Sequence, residues 1–235
     1  MLSRLAPFGC KVPENEINWE EAFSGNLFMK LTHLTAGVLF ATTISSASQA
    51  DILSDCSQEK DLVLSIEACT DVIQSNLLPG KSAMTYYFRG NAHRRVGNIR
   101  RAISDLKRSI EIDPGYQHPY IDLGLISKSR KKYAEAIDYY NEAIAIDPRF
   151  AKAYYNRGNV YWHKKQYEQA IKDYDKATTL EPKYVFPFIG RAYAEYELGN
   201  YEAALENADT ALKLAPGNGS VEDIRTQILS KLTKG

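Results

Sequence analysis

Proline recurs at positions 114, 148, 182 and 216, at intervals of 34 residues. Three other residue classes keep the same interval: Ala102, Ala136, Ala170 and Ala204; the small residues Gly90, Gly124, Gly158 and Ala192; and the aromatics Tyr86, Tyr120, Tyr154 and Phe188. A period shared by four classes defines a repeat array. An array constrains the fold more than any local pattern does, because each unit must bury its face against the next. Each class has a physical part in a helix–turn–helix unit. Asp113-Pro114, Asp147-Pro148 and Glu181-Pro182 stop the second helix, since proline lacks the amide and biases its predecessor away from the helical region. Gly97-Asn98 and Gly199-Asn200 mark the turn inside a unit. The small residue lets the two helices of a unit approach closely, and the aromatic four places earlier fills the gap between units.

These residues resemble the tetratricopeptide repeat (TPR), whose pattern runs aromatic, Leu-Gly, Tyr, then Ala, aromatic and Pro. The units are 83–116, 117–150, 151–184 and 185–218, the third being closest with AYYNRGNVYWHKKQYEQAIKDYDKATTLEP. Departures are mild: Arg89, Arg157 and Arg191 replace the Leu, Ala192 replaces the Gly, and His93, Ser127 and Glu195 replace the Tyr. The resemblance implies an all-α fold, a right-handed superhelical solenoid of antiparallel helix pairs with capping helices at both ends.

Residues 219–235 read as the C-terminal cap: Ser220 with Asp223 as a helix start, then Val221, Ile224, Ile228, Leu229 and Leu232 at helical spacing. Residues 51–82 read as an N-terminal cap or degenerate repeat. Its helix would place Leu62, Ile66, Cys69 and Ile73 on one face, after a short first helix around 51–56. Only Cys56 and Cys69 lie beyond residue 50. In an exported protein that pair favours a disulfide, worth about 3 kcal/mol in the chain-entropy model; the alternative is two free buried thiols. The layout of signal, two-cysteine cap and repeats is similar to exported TPR proteins of Gram-negative bacteria.

That layout rests on Met29 to Ala50, MKLTHLTAGVLFATTISSASQA. Lys30 gives a positive end, Leu34 to Ile44 an apolar core and Ser48-Gln49-Ala50 a small-x-small triplet, the order of a secretory signal. The expectation is initiation at Met29, cleavage between Ala50 and Asp51, and a periplasmic or secreted product with no membrane span left. Residues 1–28 would then be spurious or a disordered extension. If residues 1–50 are retained and Cys56 and Cys69 stay reduced, the alternative is a cytoplasmic co-chaperone or scaffold; a second alternative is a regulatory subunit docking on a separate enzyme.

Lys and Arg number 29, as do Asp and Glu, so no basic excess tracks phosphates and no nucleic-acid partner is expected. Catalytic signatures are missing: no Gly-x-Ser-x-Gly elbow, phosphate loop or His-Glu-x-x-His. His93, His118 and His163 fall in three different repeats and read as surface or groove residues rather than metal ligands. Asp138, Asp173, Asp175 and Glu206 read as a solvated helix face. With only a helix's length after Asn218, no enzyme, cofactor or metal is expected.

What remains is the concave groove, which in the TPR family is lined by the first helix of each unit. Carried over, the first unit contributes Met84, Tyr87, Phe88, Asn91, Arg94 and Arg95, and the second His118, Ile121, Asp122, Leu125 and Lys128. The third contributes Lys152, Tyr155, Asn156, Asn159, Trp162 and His163, and the fourth Phe186, Ile189, Tyr193, Tyr196 and Glu197. Trp, Tyr and Arg dominate binding hot spots, and Asn can hold a peptide backbone. A segment of a partner protein with acidic and aromatic residues is the expected ligand, bound by a monomer or weak homo-oligomer. The clamp by which chaperone-docking TPR domains hold a C-terminal carboxylate is matched at Asn91 and Lys152. It is broken by Tyr87, Asp122 and Asn156, with Asp122 expected to repel a carboxylate.

Overall fold

The computed structural model describes residues 54–75 and 82–233; the expected signal segment and its cleavage site lie outside them. These described residues belong to a compact unit spanning 48–235. After a helical turn at 54–57 come α1 (Leu62–Ser75), α2 (Ser82–Arg95), α3 (Ile99–Ile112), α4 (His118–Ser129) and α5 (Tyr133–Ile146). They are followed by α6 (Ala151–His163), α7 (Tyr167–Leu180), α8 (Val185–Leu198), α9 (Tyr201–Leu214) and α10 (Gly219–Leu232). The fold is all-α, a solenoid of antiparallel pairs α2/α3, α4/α5, α6/α7 and α8/α9, with α1 packed before and α10 after. Among the described residues no helix is long and apolar enough to cross a membrane.

Each second helix ends by the same device. Asp113, Asp147, Glu181 and Ala215 leave helical geometry at φ −138°, −131°, −132° and −139°, as residues preceding proline must. Each still donates its amide to the carbonyl four residues back. Inside each unit the chain reverses through a left-handed residue. Gly97 (φ 84°) and Gly199 (φ 82°) serve the first and fourth units, where they cost no steric strain. Lys131 (φ 60°) and Lys165 (φ 59°) hold the same place in the second and third, at a cost of about 1 kcal/mol each. All four turns close with one bond: the amides of Asn98, Lys132, Gln166 and Asn200 donate to His93, Ser127, Tyr161 and Glu195.

Close approach within a pair is enforced by ring-against-glycine packing. A Cβ on Gly124 would fall 2.4 Å from the Tyr140 ring, and one on Gly158 2.8 Å from Tyr174. Ala102, Ala136, Ala170 and Ala204 are completely buried. Between units, Tyr120 and Tyr154 donate their hydroxyls to the carbonyls of Pro114 and Pro148, tying each first helix to the proline that closed the unit before.

The arginines that replace the family's leucine build clasps. Arg89 and Arg157 grip Asp105 and Asp173 of their own units with paired hydrogen bonds of 2.7–2.8 Å. Arg191 and Arg225 reach back to Asp175 and Asp209 of the preceding unit at 2.6 Å. This corrects the reading of Asp173 and Asp175 as a solvated face: Asp173 is buried and Asp175 half-buried, and both are held by arginine. His93 is likewise buried, neither at the surface nor in the groove.

At the N-terminus Cys56 and Cys69 are disulfide-bonded, and the Ser65 hydroxyl donates to the Cys56 carbonyl. The buried face of α1 is Ser65, Cys69 and Val72. Leu62, Ile66 and Ile73 lie at its margin, because the bridge turns the helix so that Cys69 lies at the centre of the contact. At the other end Val221, Ile224 and Ile228 cover the last pair. The N-cap of α10 is Asn218, whose side chain accepts from the Val221 amide, not Ser220 as the capping pattern suggests.

Candidate functional site

The first helices α2, α4, α6 and α8 pack side by side and carry the groove positions. In the first two units these side chains largely satisfy one another. Asn91 donates its amide to Asp122 at 2.6 Å, and the Arg94 guanidinium stands 3.2 Å from the other carboxylate oxygen. Asp122 is only 4% exposed. Burial lifts its pKa, while Arg94 and Asn91 draw it back. Rather than projecting a free charge, Asp122 is sealed beneath two groove residues expected to bind a ligand.

His118 sits among rings, with Tyr87, Tyr116 and Phe150 centred 5.2–5.5 Å away. Burial lowers its pKa, and the Lys152 charge adds to the effect. Burial also pushes the Tyr116 hydroxyl up to about 12 and Tyr87 further still. Phe88 leans on Tyr87 at 5.4 Å. The N-terminal cap bounds a 50 Å³ cavity together with Tyr87, Phe88 and Asn91, and Arg95 donates to the Glu59 carbonyl in that cap. Arg95 therefore fastens the cap instead of facing a ligand.

Beyond this the groove opens. A pocket of 360 Å³ lies between the third and fourth units, walled by Tyr155, Trp162, Phe186 and Tyr193, with Ile189 beside them. Lys128, Asn159 and His163 add the polar lining. Its floor is Tyr174, fully buried and donating to Asn159 at 2.8 Å, and Gly190, where a Cβ would meet the Tyr174 ring at 2.7 Å. Phe186 is 52% exposed, large for an aromatic.

The indole N–H of Trp162 is buried without an acceptor. Asn159 spends its oxygen on Tyr174 and keeps its amide hydrogens. Lys128 is half-buried, its pKa lowered by burial, and among the described residues it has no ion pair. No carboxylate lines the pocket, so the Lys128 charge and the Asn159 amide stand unopposed by an acid among aromatic faces. Low dielectric strengthens such donors toward an acceptor.

Of the residues expected in the groove, Lys128, Tyr155, Asn159, Trp162, Phe186 and Tyr193 converge here, with His163 and Ile189. Tyr87, Phe88, Asn91 and Arg94 belong to the closed N-terminal half. Asn156 turns back to the Lys152 carbonyl, and Tyr196 packs on Tyr201 at 5.5 Å; none of these three lines the pocket. Tyr174 and Gly190 are not among the residues the sequence singles out, because neither lies at a groove position carried over from the family. Gly190 is an extra glycine off the recurring small position, which was a usable sign of close approach.

Among the described residues no group of three His, Cys, Asp or Glu side chains gathers as a metal site. A solenoid of helix pairs with a side-chain-lined concave face defines a protein–protein interaction module. The chain belongs to the tetratricopeptide repeat family: models described as tetratricopeptide or TPR repeats match residues 84–116, 124–165, 151–184 and 188–218. Comparison with curated proteins found no match. Two crystal structures of MamA resemble the chain in fold. One has 24% identity and TM-score 0.57 over 68% of this chain and 92% of that; the other has 22% and 0.56 over 73% and 93%. The solution structure of the first TPR domain of human RPAP3 is similar too, with 26% identity and TM-score 0.50 over 52% of this chain and 95% of that.

Proposed function

We propose that this protein is a non-catalytic module that holds an extended or helical segment of a partner protein in its concave groove. A large apolar or aromatic side chain of the segment enters the pocket between the third and fourth units, and a neighbouring Asp or Glu meets Lys128. The observation carrying this reading is an aromatic pocket lined by Lys128 and the Asn159 amide with no acid to neutralise them, and with the unpaired Trp162 indole N–H buried in its wall. Hot-spot residues of this kind act when desolvated in a central pocket.

Selection of random peptides on residues 48–235, with affinities measured by fluorescence anisotropy, tests it. Selected peptides should pair an aromatic residue with an acid, and Trp162→Ala should weaken them about thirtyfold. Peptides that bind the Trp162→Ala, Tyr155→Ala variant unchanged would place the site elsewhere.

The setting we favour is the cell envelope, in assembly, secretion or cell-wall work. The bonded Cys56–Cys69 pair supports it, since such bridges persist in oxidising compartments. Intact mass of the native protein is the check: a chain starting at Asp51 fits export, whereas one retaining residues 29–50 with free thiols fits a cytoplasmic scaffold.

A further inference from the structure

The turns inside the first three units carry a run of positive charge that the groove does not use. Because the first helices pack side by side, their C-terminal ends, and the turns that follow, share one edge of the solenoid. The first turn bears Arg95, Arg100 and Arg101, the second Arg130, Lys131 and Lys132, and the third Lys164 and Lys165, all exposed. Of these cations only Lys132 has an ion pair among the described residues, with Glu135 at 3.0 Å, and Arg95 is the one tied down elsewhere, by its bond to the Glu59 carbonyl. The fourth turn breaks the series with Gly199 and Asn200 beside Glu197. The opposite edge carries Asp113, Asp147 and Glu181 before the closing prolines, so a chain with balanced charge has a strongly basic side.

Folding accounts for only part of this edge. Cations at a helix C-terminus complement its dipole, which covers Arg95, Arg130 and Lys164. Arg100 and Arg101, however, occupy the first turn of α3, which has no acidic residue, whereas α5, α7 and α9 begin with Glu135, Glu168 and Glu202. Lys131 and Lys165 sit at left-handed positions that glycine fills in the other two units.

We infer that this edge docks on the surface of an anionic lipid membrane. The charge is spread over the tips of adjacent turns on flexible side chains, which suits mobile headgroups rather than a fixed register. At the first turn an open depression of 690 Å³ is bounded by Asn98, Arg100, Arg101 and Ser104. Asn98 makes no side-chain cap, so its amide, beside Arg100 and Arg101, is left for a headgroup phosphate. Val96, 41% exposed, puts an apolar side chain at the tip of the same turn. Nucleic acid fits less well, because the nearby rings are engaged with one another rather than set out as a row of stacking platforms: Tyr133 stacks on His163 and Tyr167 packs against Trp162.

The experiment is vesicle co-sedimentation of residues 48–235, which form a compact unit. Vesicles of phosphatidylcholine alone are compared with vesicles containing phosphatidylglycerol, at about 0.05 M and about 0.5 M salt. Binding should require phosphatidylglycerol and vanish at high salt. Lys131→Gly with Lys165→Gly should lower affinity about thirtyfold, at roughly fivefold per cation. The same pair should not lower the melting temperature, since glycine relieves the left-handed backbone; loss of binding would then not be loss of fold. Lys176→Gln with Lys213→Gln, which removes two charges near the far ends of α7 and α9, should leave binding intact. Equal binding to both vesicle types, no binding to either, or an unaffected glycine pair overturns the inference. Displacement from vesicles by a DNA duplex or by polyglutamate at matched charge would reassign the edge to that partner.

Discussion

The two halves of the groove use the same repeat and reach opposite ends. In the first two units Asp122 accepts from Asn91 and is ion-paired with Arg94, His118 is enclosed by rings, and the disulfide-bonded cap adjoins Phe88 and Arg95. In the last two units the corresponding face keeps an indole N–H without an acceptor, an exposed Phe186 and a pocket of 360 Å³. A repeat position fixes where a side chain is carried. Whether the side chain is left for a ligand depends on what the neighbouring unit places across from it.

Removing one charge from each half should separate them most sharply. Arg94→Ala leaves Asp122 buried without its cation and should cost roughly 3 kcal/mol in chemical denaturation, as breaking other buried pairs does. Lys128→Met removes a half-buried charge with no partner among the described residues and should leave stability within about 0.5 kcal/mol or raise it. Equal losses from the two variants would mean that the halves are not built differently.

The cap offers the next contrast. Cys56 and Cys69 close a short loop, their sequence separation being 13, and Cys69→Ser should cost about 3 kcal/mol in the chain-entropy model. Loosening the cap frees only the N-terminal end, so peptide affinity at the pocket should stay the same. A parallel loss of affinity would show that the closed half is part of the site.

Much of this was legible in the sequence, and the exceptions have a common cause. The period of 34 set the helices, the turns and the prolines that end each unit, because those depend on residues near one another in the chain. The arginine clasps left a mark that went unread: Arg89 precedes Asp105, and Arg157 precedes Asp173, by the same 16 residues that separate Arg191 from Asp175 and Arg225 from Asp209 in the other direction. Reading it requires knowing which helices touch. The pocket floor, built by Tyr174 from the third unit and Gly190 from the fourth, shows in the sequence only as that one extra glycine, and the ring that meets it lies in another unit. Nor does any pattern tell that Asn91 is bonded to Asp122 while Asn159 keeps its amide free.

Binding should follow the same division, with a smaller effect than loss of the buried pair. Trp162→Ala is expected to cost the selected peptides about 2 kcal/mol, and Phe88→Ala, next to the cap, less than about 0.5 kcal/mol. Anisotropy with the two variants in parallel measures the ratio. A peptide that loses equally from both spans the whole groove.

The smallest expected effect is also the one in which the halves move in opposite directions. His118 and His93 are held below the usual histidine pKa, chiefly by burial. The unfolded chain therefore binds more protons than the folded one once the pH falls below about 6.5, and stability drops from there down to the folded pKa values. His118 faces Asp122 and Lys152, and the raised pKa values of Asp122 and Asp173 act with the opposite sign. The difference between wild type and His118→Phe isolates the histidine: the phenylalanine variant should lose less stability on acidification. In the open half, His163 also titrates below its usual value, through burial and the Lys128 charge, but its protonation adds a second positive charge to a pocket without acids. Affinity for an acidic peptide should therefore rise over the same pH interval in which the fold weakens, and His163→Gln should remove that rise while, like His118→Phe, losing slightly less stability on acidification. If affinity instead falls together with stability, the pocket is not the electropositive half of the groove.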